Sequence, residues 1–204
     1  KIRDSGCRMV FTGAESGSDW VLQQMSKHLT TAQTLELAER SKRWGIIPEF
    51  SFILGNPNDP ERDIRETIAF IRRLKTINPD CEIIIYHYTP TPQRNKSYGG
   101  IDGRFEFPET LEEWTSAEWY HFSVRTDPRT PWLKSRWKRQ IDDFETVMKA
   151  RYPTIQDRKI TPSLRKALQM LSDWRYRFRV YTHPLELKLA LRLISYRDPK
   201  MQSL

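Results

Sequence analysis

The chain has 204 residues, 38% hydrophobic and 29% charged, with a formal net charge of +8. That composition builds a core, excludes a mostly disordered or fibrous chain, and suits one domain or a domain plus an appendage. The longest apolar runs, such as Ile83-Ile84-Ile85, fall far short of the roughly 20 residues of a membrane helix, and no apolar leader follows Lys1, so no membrane partner is expected. The two cysteines, Cys7 and Cys81, make no disulfide framework and point to a reducing, cytoplasmic setting. With four scattered histidines they build no metal-ligand motif. The charge is uneven. Residues 1–100 carry 14 Lys and Arg against 12 Asp and Glu; residues 101–204 carry 20 against 14, and five of the seven tryptophans.

In chain order, Cys7 to Thr12 is short and apolar and stops at Gly13, as a buried strand would. Ser18 before Asp19 and Trp20 signals a helix start. A second helix follows Thr30-Thr31, with Leu35, Leu37, Ala38 and Trp44 marking its buried side and Gly45 ending it. Ile46 to Leu54 is a second strand. Gly55 to Asp59 is a loop, and Pro60 suits the first turn of the next helix, whose stripe is Ile64, Ile68, Ile71 and Leu74. Cys81 to Tyr88 is a third strand. Strands and helices alternating with short joints predict parallel β/α units.

Thr89 to Pro108, rich in proline and glycine, reads as a long loop. Helical patterns then dominate: 109–120, broken near Thr115; 135–152, with Trp137, Ile141, Phe144, Val147 and Met148 on one face; 162–180; and 185–196. Lys138 with Asp142 and Arg139 with Asp143 fall at i,i+4. Arg/aromatic strings at 119–128 and 174–179 suit either base stacking or amphipathic helices whose Arg stems cover aromatic core. The second is expected, with Trp137, Phe144 and Trp174 buried.

Three strand ends carry polar loops: 13–18 with Glu15, 51–57 with Ser51, and 86–92 with Tyr86, His87 and Tyr88. In parallel β/α folds these ends form the ligand face. Singly, each loop also suits a tight turn; together they mark a candidate binding face. Lys27 also suits a solvated helix end, and Ser51 a hydroxyl satisfied within the sheet.

The string GAESGSDWVLQQMSKHLT at 13–30, then GIIPEFSFILGNP at 45–57 with IRETIAFIRRL at 64–74, resembles the second half of a radical S-adenosylmethionine barrel. The nearest likeness is to those enzymes that carry a cobalamin-binding domain. The resemblance covers about residues 6–92. It implies an α/β fold: the second half of a partial (β/α) barrel with parallel strands over 1–95, then an α-helical extension over 96–204. It implies that Glu15 contacts S-adenosylmethionine, that Lys27 meets its methionyl carboxylate, that Ser51 faces the ribose, and that Gly55, Asn56 and Pro57 lie beside the adenine. Tyr86, His87 and Tyr88 are substrate-side candidates.

The resemblance further implies a [4Fe–4S] cluster that cleaves S-adenosylmethionine reductively to start radical chemistry on an unknown substrate, and cobalamin if the upstream domain exists. The cluster signature Cys-x3-Cys-x2-Cys is absent here. It is expected upstream of Lys1, in a missing N-terminal half, so the fragment alone is expected to be inactive. The loop after the third strand, Thr89 to Arg94, departs from the Pro-Gly-Thr of many relatives. Rival expectations are a non-catalytic basic nucleic-acid-binding module and a scaffold with a degenerate barrel. The interleaved acids in the basic half make nucleic acid the weaker reading.

Overall fold

A computed structural model describes residues 1–89, 107–117, 119–120, 132–155 and 160–194. Three parallel strands, β1 (Met9–Glu15), β2 (Ile47–Leu54) and β3 (Glu82–His87), form one sheet in that order. The described helices are α1 (Asp19–Gln24), α2 (Thr31–Trp44), α3 (Pro60–Ile77), α4 (Leu111–Trp114), α5 (Ser135–Arg151), α6 (Pro162–Phe178) and α7 (Leu185–Leu193). The expected parallel order of the three strands is present. None of the described helices is long and apolar enough to cross a membrane.

Local chemistry sets the joints. Thr30 and Gln33 cap α2 reciprocally, and Gly45 ends it in the left-handed region at φ +62°. The Asp59 side chain accepts from Arg62 N at the start of α3, with Pro60 in the first turn. Phe50, Phe52 and Leu54 on β2, with Ile83 and Ile85 on β3, pack under Ile64, Ile68, Ile71 and Leu74 of α3. Each such buried side chain contributes roughly 1.5–3 kcal/mol. The same core continues through Ile141, Phe144, Val147 and Met148 of α5 and on to Tyr176 of α6 and Leu187 of α7.

Four expectations need correction. Strand β1 does not stop at Thr12: Gly13 still pairs with Ser51, and the ladder shifts only between Gly13 and Glu15, where Ala14 is the extra residue of a bulge. Trp44 is 49% exposed, because the buried side of α2 is the small-residue row Thr34, Ala38 and Ser41; its ring lies 5.5 Å beneath the Arg40 guanidinium. Trp174 is 47% exposed under Arg175, while α6 buries Leu168, Ser172, Arg175 and Tyr176. Asp143 does not turn to Arg139. It is buried, and it takes Lys188 Nζ at 2.7 Å and His183 N at 3.0 Å. Of the other rings expected inside, Phe144 is fully buried and Trp137 half-buried. The loop over 90–106, residues 121–128 and the end of the last predicted helix lie outside the described residues.

Candidate functional site

The site is built at the C-terminal end of β1. Its last residue, Glu15, has φ +62°, a left-handed backbone that costs a non-glycine residue about 1–2 kcal/mol. The bulge at Ala14 and this turn fold the Glu15 side chain back over Gly13. A Cβ on Gly13 would stand 2.4 Å from Glu15 Oε1 and 3.8 Å from Ser51 Oγ. Gly13 therefore clears the space in which the Glu15 carboxylate lies, near the Ser51 hydroxyl. After α1 the chain turns at Ser26, φ +51°, and Lys27 N donates to Leu22 O. That turn brings Lys27 Nζ to 2.8 Å from Glu15 Oε1. The Glu15 side chain is 13% exposed and that of Lys27 46%, so the pair is half in water and holds by only about 0.2–1 kcal/mol.

Three of the predicted residues, Glu15, Lys27 and Ser51, thus converge. Tyr86 joins their side of the sheet: Gly13 pairs with Ser51, Ser51 with Ile84 and Ile53 with Tyr86, and strand alternation puts these on one face. His87 goes elsewhere, with Nε2 3.6 Å from Asp142 on α5. Tyr88 is buried, and its ring meets Trp132 edge-on at 5.8 Å.

The Gly55-Asn56-Pro57 loop is placed at the end of β2 with its backbone groups engaged. Gly55 has φ +92°, and a Cβ there would come within 2.9 Å of Leu133. Its carbonyl accepts from Trp132 Nε1 at 3.1 Å. Its N–H and that of Asn56 donate to Asp63 Oδ2 at 2.8 and 2.9 Å. The buried Asn56 side chain accepts from Asn58 N, closing the turn.

Sequence reasoning missed the group that organises these loops. Asp63, in the first turn of α3, is fully buried. Its Oδ1 accepts from Ser16 Oγ at 3.0 Å and Thr67 Oγ1 at 3.2 Å. Ser16 Oγ accepts from Ser18 N, and Thr67 Oγ1 from Gly17 N. Gly17 lies flush on α3, where a Cβ would strike Phe70 and the Thr67 backbone. Burial pushes the Asp63 carboxyl above its ordinary value, against the pull of the Asn56 and Gly55 N–H groups and the two hydroxyls. The signal was available: Asp63 and Thr67 sit at i,i+4 inside the apolar stripe of α3. Trp132, 77 residues from Gly55, carried no such signal.

Cys7 and Cys81 are free and precede β1 and β3, at the sheet end away from this site. Burial pushes the Cys81 thiol up to about 11, as suits a small core side chain. Among the described residues no three His, Cys, Asp or Glu side chains gather as a metal site.

No family model matches the chain. Over 73 residues it is 30% identical to an uncharacterized methyltransferase of Pyrococcus horikoshii, covering 36% of this chain and 16% of that protein. Over 76 residues it is 33% identical to a tRNA-2-methylthio-N(6)-dimethylallyladenosine synthase of Clostridium botulinum, covering 35% and 16%. Over 75 residues it is 32% identical to a ribosomal protein uS12 methylthiotransferase of Parabacteroides distasonis, covering 36% and 17%. The match spans about a sixth of the length of these curated relatives. The similarities support the radical S-adenosylmethionine family for the matched segment, and none bears on cobalamin.

Proposed function

We propose that this chain is the C-terminal part of a radical S-adenosylmethionine enzyme and supplies one wall of its cofactor site. The observation that carries the reading is the Glu15–Lys27 pair at the end of a parallel strand, with Ser51 beside it. A zwitterionic amino acid needs an acceptor for its ammonium and a cation for its carboxylate, and a half-solvated ion pair separates at small cost to provide both. Glu15 takes ammonium or ribose donors, Lys27 the methionyl carboxylate and Ser51 a ribose hydroxyl. Gly55, Asn56 and Pro57 present a shaped turn to the adenine edge rather than free N–H groups, since Asp63 already holds those of Gly55 and Asn56. Tyr86 shares the Ser51 face and is the better-placed substrate-side group; His87 and Tyr88 are the other two candidates.

The bound cofactor and its [4Fe–4S] cluster supply the reductive, radical-forming chemistry; these residues bind and orient. Cys7 and Cys81 do not fit the cluster, because they lie at the other end of the sheet and Cys81 is held as a thiol. The cluster thiolates belong to the N-terminal half in this reading. The substrate is unknown. The relatives' names point to methyl or methylthio transfer as the reaction class to test first. The finer version adds an upstream cobalamin domain and a cytoplasmic location.

The test is a titration of S-adenosylmethionine into the full-length, cluster-reconstituted protein. Lys27→Ala is expected to weaken binding about ten- to a hundred-fold, the worth of one charge-assisted contact, without unfolding the sheet. Unchanged affinity returns Lys27 to a solvated helix end. A full-length protein that binds no S-adenosylmethionine removes the reading.

A further inference from the structure

Both loops of the proposed site hang from one side chain. Through Ser16 Oγ, Asp63 holds the residue that follows Glu15; through the N–H groups of Gly55 and Asn56 it holds the turn after β2. We infer that Asp63 is a positioning residue for S-adenosylmethionine, fixing the Glu15 carboxylate and the Gly55 turn in one mutual geometry before the cofactor arrives. The inference rests on the reading of the site given above.

Three observations lead to it. Glu15 keeps a left-handed backbone that a non-glycine residue adopts only where its surroundings enforce it. The next residues, Ser16, Gly17 and Ser18, supply that enforcement: each is bonded to Asp63 or Thr67 directly or through Ser16 Oγ, and Gly17 has no room to shift on α3. The second tether enforces the turn at Gly55, whose φ is also positive. A loop fixed only at its ends would have to pay ordering entropy on binding; here the ordering is already made by the fold. Both tethers meet on one carboxyl, which links the two loops side chain to backbone beyond the last ladder pair of β1 and β2. The partners are two backbone N–H groups on one oxygen and two hydroxyls on the other. An amide fits the same set, with its carbonyl toward Gly55 and Asn56 and its NH2 toward hydroxyls that rotate to accept.

The experiment uses full-length, cluster-reconstituted protein, with S-adenosylmethionine affinity by equilibrium dialysis and melting temperature measured on each variant. Ser16→Ala cuts only the Glu15 side, and Thr67→Val removes a hydroxyl while keeping shape. Both are expected to weaken affinity by roughly five- to thirty-fold, the loss for one or two kcal/mol of misplaced binding groups. Asp63→Asn is expected to stay within about three-fold of wild type, and Asp63→Ala, where it folds, to lose most. Ile71→Val, in the core side of the same helix, is the stability control: it lowers the melting temperature and leaves affinity unmoved. Ser16→Ala and Thr67→Val binding like wild type overturns the inference. So does an affinity loss in Ile71→Val equal to that in Ser16→Ala, or an Asp63→Asn loss as deep as that of Asp63→Ala. Wild-type protein that fails to bind the cofactor fails the site reading itself, an outcome read without any variant.

Discussion

The loops that follow β1 and β2 bury polar side chains, whereas the pair α6 and α7 leaves apolar ones in water. Ser16, Ser18, Asn56 and Asp63 are all nearly inaccessible, yet Met170, Phe178, Leu185, Leu189 and Leu193 are each at least 59% exposed. Partnering explains the contrast better than hydropathy does. Each oxygen of Asp63 has two donors, which offset part of the desolvation cost of burial. On α7 only Leu187 is fully buried, beside Phe144 and Tyr176; the leucines at 185, 189 and 193 follow one stripe at i,i+4,i+8 that the described residues leave exposed. The sheet region is therefore a place where small polar residues hold structure, and the outer faces of the C-terminal helices a place where large apolar ones stay exposed.

The largest effects should come from groups that the two regions do bury. Phe52 is fully inaccessible and meets Phe70 edge-on at 6.2 Å. Phe52→Ala is expected to cost about 3–5 kcal/mol, and Leu187→Ala about 2–5 kcal/mol, in urea unfolding of the full-length protein. A loss under about 1 kcal/mol at Leu187 would mean that α7 is not joined to the core, and would break the comparison on its helical side.

Next in size is the pH response of the buried carboxyl. Burial raises the Asp63 value in the folded state, so the native protein binds more protons than the unfolded chain between the ordinary carboxylate range and that raised value. The stability contributed by the neutral form is full below the ordinary value of about 3.9 and is lost as pH rises through the raised one. Wild type should therefore fall relative to Asp63→Asn as pH is taken from about 4 toward neutrality. Parallel curves for the two proteins would show that the donors around Asp63 cancel its desolvation completely.

Much of the sheet was legible because strands and caps are local. Pro60, Gly45 and the Ile64–Leu74 stripe act where they stand, and the three strands pair as their alternation predicts. The convergence of Glu15, Lys27 and Ser51 was legible through resemblance alone; no periodicity puts residue 27 beside residue 15. What escaped was non-local or backbone-mediated. The bulge at Ala14 extends β1 past a glycine that read as a stop. Trp132 reaches Gly55 across 77 residues. Trp44 and Trp174 were placed inside from the helical pattern around them, but each stays about half exposed with an Arg of its own helix over its ring. Hydropathy reports what a residue gains if a partner exists, and partners are a property of the fold.

The smallest effect tests that last point directly. Leu189 is 59% exposed and two residues from Leu187, which is fully buried. The two side chains have the same composition and lie in the same helix, so propensity is common to both. Gln is close to Leu in helix propensity, so Leu189→Gln changes little except the surface presented to water. The expected change in unfolding free energy is within about 0.5 kcal/mol of zero, the range for surface positions without a special role. Extending the substitution to Leu185→Gln and Leu193→Gln should leave the total near zero, because side chains this exposed among the described residues have little to couple. Solubility should rise as the stripe is removed. A triple variant destabilised by more than about 2 kcal/mol would show that these leucines pack against part of the protein outside the described residues. The exposed face of α7 would then be a buried one, and the contrast with the loops at the sheet end would disappear.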